Sequence, residues 1–193
     1  MVVWLLVAAV VGYFLGSINP ASIIAKARGI DLSQLGSGNP GATNAGRVMG
    51  RGTGIFVGAF DVLKGFMPVL LFSIFVGPSV GMVAGFAAII GHMTSPFLHG
   101  KGGKGVATTM GVLLAAEPIW LIVVLVVFII VRLVGKRTGI ASVAGAVALI
   151  VVALIDRENT LDTWFGVLVG MLVIVRHQRN IRAAIADLQA SRH

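Results

Sequence analysis

Apolar runs long enough, or nearly long enough, to cross about 30 Å of hydrocarbon as helices recur along the whole chain, and no other sequence feature restricts the fold as much. Seven are read, at about residues 2–25, 54–76, 81–97, 105–116, 118–134, 141–155 and 164–175. They leave no room for a separate soluble domain, so residues 1–193 are expected to form a single polytopic all-α membrane domain, a bundle of about seven transmembrane helices. Composition agrees: 57% of residues are hydrophobic and 11% charged, against about 45–50% and about 25% in soluble domains. The first run has no basic segment ahead of it, and Gly16-Ser17-Ile18-Asn19 is a poor cleavage site, so it reads as a retained helix. The fourth run is the weak one. About a dozen residues at about 1.5 Å each reach about 18 Å, so it is expected to be short, tilted or partly re-entrant.

Charge orients this bundle. With the N-terminus outside, the cytoplasmic segments carry Lys26, Arg28, Arg47, Arg51, Lys101, Lys104, Arg132, Lys136, Arg137, Arg176, Arg179, Arg182 and Arg192, thirteen of the fifteen basic residues. The C-terminus is then cytoplasmic. Merging the fourth and fifth runs across Glu117-Pro118 would flip everything downstream and put the later basic clusters outside. The outer turns hold Glu117, Asp156, Glu158 and Asp162 with only Arg157, and Trp4, Trp120 and Trp164 fall at outer ends like an interfacial belt. The net charge of +8 lies between apolar spans rather than on a solvated face, so no nucleic-acid partner is expected.

Inside the spans, Gly12 and Gly16, Gly81 and Gly85, and Gly166 and Gly170 are small-xxx-small pairs that allow helices to approach closely in lipid. Asp61 and Lys64 stand at helical i,i+3 spacing within the second run, where ionisable groups are costly; they are either a structural pair or part of a site. After Arg176 the chain reads as a basic, partly amphipathic helix at the membrane surface. The absence of cysteine excludes thiolate nucleophiles, disulfides and thiolate metal ligation.

Three segments assigned to the cytoplasmic face interrupt the apolar pattern. In the first, GSGNPGATN at 36–44, glycines free the backbone to turn N–H groups toward an anion, with a helix start adding partial positive charge. Ser37, Gly38, Asn39, Thr43 and Asn44, with Arg47 one turn later, make a candidate cradle for a hydroxylated phosphate ester. In the second, Lys101-Gly102-Gly103-Lys104-Gly105 precedes the fourth run, whose first turns carry Thr108 and Thr109. It resembles a phosphate loop in physics but not in pattern: a Walker A loop would need Gly at Leu98 and Ser or Thr at Gly105, which disfavours nucleotide hydrolysis. In the third, Arg176-His177-Gln178-Arg179-Asn180, His177 and Asn180 stand one turn apart beside two arginines, and His177 is a candidate base or substrate-positioning group. Ser142, at the inner end of the sixth run, could reach the same site or simply pack. His92 and His99 read as loop packing, and with no carboxylates or cysteines clustered near them neither a metal site nor a cofactor is expected.

At GSGNPGATN (36–44), GHMTSPFLHGKGGKGVAT (91–108) and RHQRNI (176–181) the chain resembles the bacterial acyl-phosphate:glycerol-3-phosphate acyltransferase family. The resemblance extends to Asp61-Val62-Leu63-Lys64-Gly65 and to overall length. The tail after Asn180-Ile181 is less basic and less leucine-rich than the family would lead one to expect. The resemblance implies transfer of a fatty acyl group from acyl phosphate to the sn-1 hydroxyl of glycerol 3-phosphate, at a site open to the cytoplasm in a bacterial inner membrane. Coenzyme A would not be the direct donor, and no cofactor would be needed. The His-x-x-x-x-Asp signature of the other glycerol-phosphate acyltransferase class is absent, because Phe97, Lys104 and Arg182 stand five positions after His92, His99 and His177.

The assignment is chemically coherent. An acyl phosphate is already activated, so positioning and charge stabilisation suffice without a protein nucleophile. Lys104, His177 and Asn180 are the candidate catalytic residues. Arg47, Lys101, Lys104, Arg176 and Arg179 could gather two anionic substrates, with Gly105, Thr108 and Ser142 completing the binding set. The proton from the attacking hydroxyl goes either to His177 or to a substrate phosphate oxygen. A monomer suffices for this reading, although the sequence leaves oligomeric state open. The competing reading is a membrane transporter for an anion or organophosphate, since basic glycine-rich loops at broken helices suit that task too.

Overall fold

The computed structural model describes residues 1–156 and 159–190, so Arg157, Glu158 and Arg192, used above in the charge count, lie outside the described residues. Every regular element among the described residues is helical. The chain divides into two compact units, Met1–Ala116 and Glu117–His193.

In the first unit, α1 (Val2–Ser17) and α2 (Pro20–Ala27) together form one apolar stretch broken at Ile18-Asn19. Pro20 lacks an N–H and suits the first position of a helix, and Asn19 caps it by accepting from the Ser22 N–H at 2.8 Å. A short helix α3 (Ala42–Met49) leads through Gly50 into the long α4 (Arg51–Phe75). Next come α5 (Pro78–Thr94), a 3₁₀ turn at Pro96–Leu98 and the short α6 (Val106–Ala116).

The glycine pairs do what close helix packing in lipid requires. A Cβ at Gly12 or Gly16 of α1 would overlap the backbone carbonyls of Ala84 or Ala88 in α5. Gly65 of α4 meets the Thr108 carbonyl of α6 in the same way, and Gly111 of α6 meets that of Val62. These contacts bring polar backbone and small side chains together where no hydrophobic force acts between helices.

The second unit holds α7 (Pro118–Gly135), α8 (Thr138–Asp156), α9 (Thr160–Arg176) and α10 (Gln178–Ala190). Gly166 and Gly170 of α9 pack on Ala153 and Ile150 of α8. Large apolar side chains such as Ile122, Ile129, Ile130 and Leu133 stand exposed on α7, as expected of a lipid-facing surface. Trp4 and Trp164 are exposed too, but Trp120 is not part of that belt: it is buried, and its Nε1–H donates to Asp156 Oδ2. The indole N–H finds its partner in the carboxylate that ends α8.

Five helices or joined helices are long and apolar enough to cross a membrane, and α9 with α10, bent by 58°, brings the number to six. The fourth of the runs read from sequence is α6, at 11 residues about 16 Å long and shorter than the hydrocarbon core.

Candidate functional site

The loop ahead of α3 is built around two asparagines. Asn44, in the first turn of α3, is buried; its Oδ1 accepts the Ser37 N–H at 2.8 Å and its Nδ2 donates to the Leu35 carbonyl at 3.0 Å. Gly36 and Gly38 take positive φ, and a Cβ at Gly36 would collide with Asn44 Oδ1. Asn19 reaches across from the break between α1 and α2, donating from Nδ2 to the Pro40 carbonyl at 2.8 Å. Asn44, expected to bind substrate, therefore spends its amide on the loop's own backbone. Ser37, Thr43 and Arg47 are exposed around this loop, with Gly38 and Asn39 half-buried.

The Lys101–Gly105 segment follows the end of α5. Ser95 Oγ donates to the Ser17 carbonyl at 2.7 Å, fixing that end against the end of α1. His99 and Gly100, both at positive φ, then reverse the chain. The N–H groups of Gly102 and Gly103 donate to the carbonyls of Met93 (3.2 Å) and His92 (3.0 Å). Both glycines belong to the segment that resembles a phosphate loop, and their amides satisfy the C-terminal carbonyls of α5, groups that a helix end leaves without intrahelical partners. Lys101 is exposed and Lys104 half-buried on either side of the pair. Gly105 takes φ +85° and starts α6, its carbonyl accepting the Thr109 N–H at 2.8 Å. Thr108 is fully buried, with its methyl and carbonyl against Gly65.

Beneath this loop lies the charged pair noted inside the second run. Lys64 Nζ is 2.8 Å from Asp61 Oδ1 and donates to the Ile18 carbonyl at 2.7 Å, while His92 Nδ1 lies 3.5 Å from the same carboxylate oxygen. Asp61, Lys64 and His92 are only 2%, 6% and 4% exposed. Sequence reasoning saw the pair but not its third member, because His92 sits 28 residues beyond Lys64 on another helix. Asn19 was missed as well; its signal was a helix-capping residue set just before proline within an apolar run.

In the second unit, Arg176 closes α9 and His177 forms the bend into α10. His177 is buried, and its Nδ1 lies 2.8 Å from the Val173 carbonyl. A carbonyl can only accept, so Nδ1 carries the hydrogen and Nε2 of the neutral ring is an acceptor. The His177 carbonyl in turn accepts the N–H groups of Asn180 (2.9 Å) and Ile181 (3.1 Å). Asn180 packs against Gly139 at the start of α8, where a Cβ would overlap its amide. Ser142, one turn on, donates from Oγ to the Thr138 carbonyl at 3.0 Å. The unit therefore brings His177 together with Asn180, and Asn180 onto the helix that carries Ser142. Among the described residues no group of three or more His, Cys, Asp or Glu could hold a metal ion.

The model of the family described as glycerol-3-phosphate acyltransferase matches residues 6–187. The chain belongs to that family. The glycerol-3-phosphate acyltransferase of Geotalea daltonii is 40% identical over 172 residues, covering 88% of each chain. A crystal structure of PlsY (YgiH), an integral membrane glycerol 3-phosphate acyltransferase, in its glycerol 3-phosphate form superposes with a TM-score of 0.90 at 34% identity over 95% of this chain and 92% of that one. The lysophosphatidic acid form of PlsY gives 0.86 at 33% identity over the same shares. Family membership makes this chain an acyltransferase, and its apolar helices make it an integral membrane one.

Proposed function

We propose that this chain transfers a fatty acyl group from acyl phosphate to the sn-1 hydroxyl of glycerol 3-phosphate, giving 1-acyl-glycerol 3-phosphate and inorganic phosphate. The observation that carries this reading is the close fold match, over nearly the whole chain, to an acyltransferase structure named for glycerol 3-phosphate. The hydroxyl oxygen attacks the acyl carbonyl carbon, a new C–O bond forms, and the bond from that carbon to the phosphate oxygen breaks with its electrons leaving on phosphate. The hydroxyl proton passes to a phosphate oxygen, whose second pKa near 6 makes it a competent acceptor. His177, through Nε2, then orients the hydroxyl rather than removing its proton.

The cations Arg47, Lys101, Lys104 and Arg176 hold the two phosphates. Lys104 stabilises the charge that develops on the leaving phosphate, which positioned cations do without protein covalent chemistry. Ser37, Gly38, Asn39 and Thr43 shape the cradle beside Arg47, and Asn180 and Ser142 serve beside His177. Residues 1–193 act as one acyltransferase domain, a reading supported by a family match that runs through both units. The chain crosses the bacterial cytoplasmic membrane seven times, α6 included, with the N-terminus outside and the C-terminus cytoplasmic, because that arrangement keeps the basic segments inside.

Purified protein given palmitoyl phosphate and labelled glycerol 3-phosphate should form labelled lysophosphatidic acid, and should form none from palmitoyl-coenzyme A alone. Uptake of glycerol 3-phosphate into proteoliposomes without acylation would replace this reading with a transporter.

A further inference from the structure

We infer that His92, held by the buried Asp61–Lys64 pair, is a positioning residue for the Lys101–Gly105 loop, and that position 103 must be glycine because of the His92 ring rather than because of substrate. The inference rests on the reading that this loop serves a substrate phosphate.

Two charges inside an apolar helix are expensive even when paired. A pair that had only to neutralise itself would need no third group. Here Asp61 Oδ1 faces both Lys64 Nζ (2.8 Å) and His92 Nδ1 (3.5 Å), and Lys64 Nζ is further fixed on the Ile18 carbonyl where α1 ends. The imidazole is thereby held by one edge. Its other edge is the bed of the loop: a Cβ at Gly103 would overlap His92 Nε2 and Cε1 and crowd Cδ2, and a Cβ at Gly102 would overlap the His92 carbonyl oxygen. The amides of both glycines are tied to the carbonyls of Met93 and His92. The glycine pair is thus seated on α5 by its backbone and on the ring by close contact, and the seat sets where Lys101, Lys104 and the start of α6 point. In this arrangement the anion is met by the lysines and by the first turn of α6, whose N–H groups lack intrahelical acceptors. The amides of Gly102 and Gly103 do not take part.

A double-mutant cycle in the full-length protein separates the two origins of the glycine requirement. Gly103→Ala should raise KM for palmitoyl phosphate or glycerol 3-phosphate by about tenfold or more, and the same change in a His92→Ala background should alter it by less than about threefold. An equal factor in both backgrounds would overturn the inference, since glycine would then answer to the substrate. His92→Asn, which keeps an N–H donor near the Nδ1 position, should restore KM better than His92→Leu, with kcat little changed in either. Asn and Leu variants of equal KM would remove Asp61 from the account. Hydrogen exchange of residues 99–106 gives a readout that needs no activity: it should quicken in His92→Leu while the amides of α4 stay unchanged, and unchanged exchange in the loop would also overturn the inference. If the wild-type protein made no lysophosphatidic acid, the proposed function would fail while the exchange comparison still decided the role of His92.

Discussion

At the scale of single residues, side chains that look alike in sequence have separate work. Asn39 and Asn44 stand in one motif, yet Asn44 is buried and bonded to the Ser37 N–H and the Leu35 carbonyl. Removing one partner from such a buried network costs about 1–3 kcal/mol. Asn44→Ala should therefore lower the thermal midpoint in detergent as well as the activity, whereas Thr43→Ala, at an exposed position, should leave the midpoint in place. Lys104→Ala should keep the midpoint and lose turnover; retention of more than about a tenth of wild-type kcat would take Lys104 out of transition-state stabilisation. For His177 the two chemical roles part cleanly. A lost general base costs about 10²–10⁴-fold in kcat and is not restored by an amide. If His177 orients the hydroxyl through Nε2, the acceptor of the neutral ring once Nδ1 donates to Val173, His177→Gln should recover substantially over His177→Ala. A glutamine variant as inactive as alanine, yet folded and binding glycerol 3-phosphate, would make His177 the base.

At the scale of elements, the helices are legible where hydrophobicity alone decides and obscure where a turn does. The runs read at 118–134 and 141–155 match α7 and α8 closely, because both are long, apolar and bounded by Pro118 and by the Lys136-Arg137 turn. The first run was read as one helix, but Asn19-Pro20 ends α1 and caps α2, a local hydrogen-bonding choice that hydropathy averages away. Helix α3 shows in the sequence only as a helix start beside the first glycine-rich motif, since its polar sequence, with Asn44 and Gly46 inside it, carries little helix propensity and its start is fixed by contacts with Asn19 and the loop. For the site the limit is different. The three polar motifs stand out against apolar surroundings, but which amides meet a ligand and which cap a helix depends on approach distances that no spacing encodes. The packing glycines carry a direct test. Gly16→Leu places a side chain against the Ala88 carbonyl of α5, where the neighbour is backbone and cannot yield. It should lower the thermal midpoint far more than Gly52→Leu, whose Cβ meets nothing. The comparison is read by thermal denaturation of the two variants in the same detergent.

At the scale of the whole molecule, the remaining issue is orientation, which basic-residue placement argues and cysteine labelling can measure. The chain contains no cysteine, so single cysteines can be introduced without a background to remove. Thr160 and Gln178 are both exposed and lie at opposite ends of α9, a helix of 17 residues or about 25 Å, close to the thickness of the hydrocarbon core. The Thr160 end carries Asp162, and the Gln178 end carries Arg176, Arg179 and Arg182, so charge bias sends the second to the cytoplasm. In intact cells a membrane-impermeant maleimide should label Thr160→Cys and leave Gln178→Cys unlabelled until the membrane is opened. The same pair also tests the count of crossings when combined with a cysteine near the N-terminus: Val2→Cys, exposed at the start of α1, should label from outside as Thr160→Cys does. Six crossings separate Val2 from Thr160 if α6 crosses, with α1 and α2 making one of them and α3 none, which returns the chain to the side it began on. Were α6 to turn back without crossing, the two would fall on opposite sides, and labelling of only one of them from outside would reduce the bundle to six crossings.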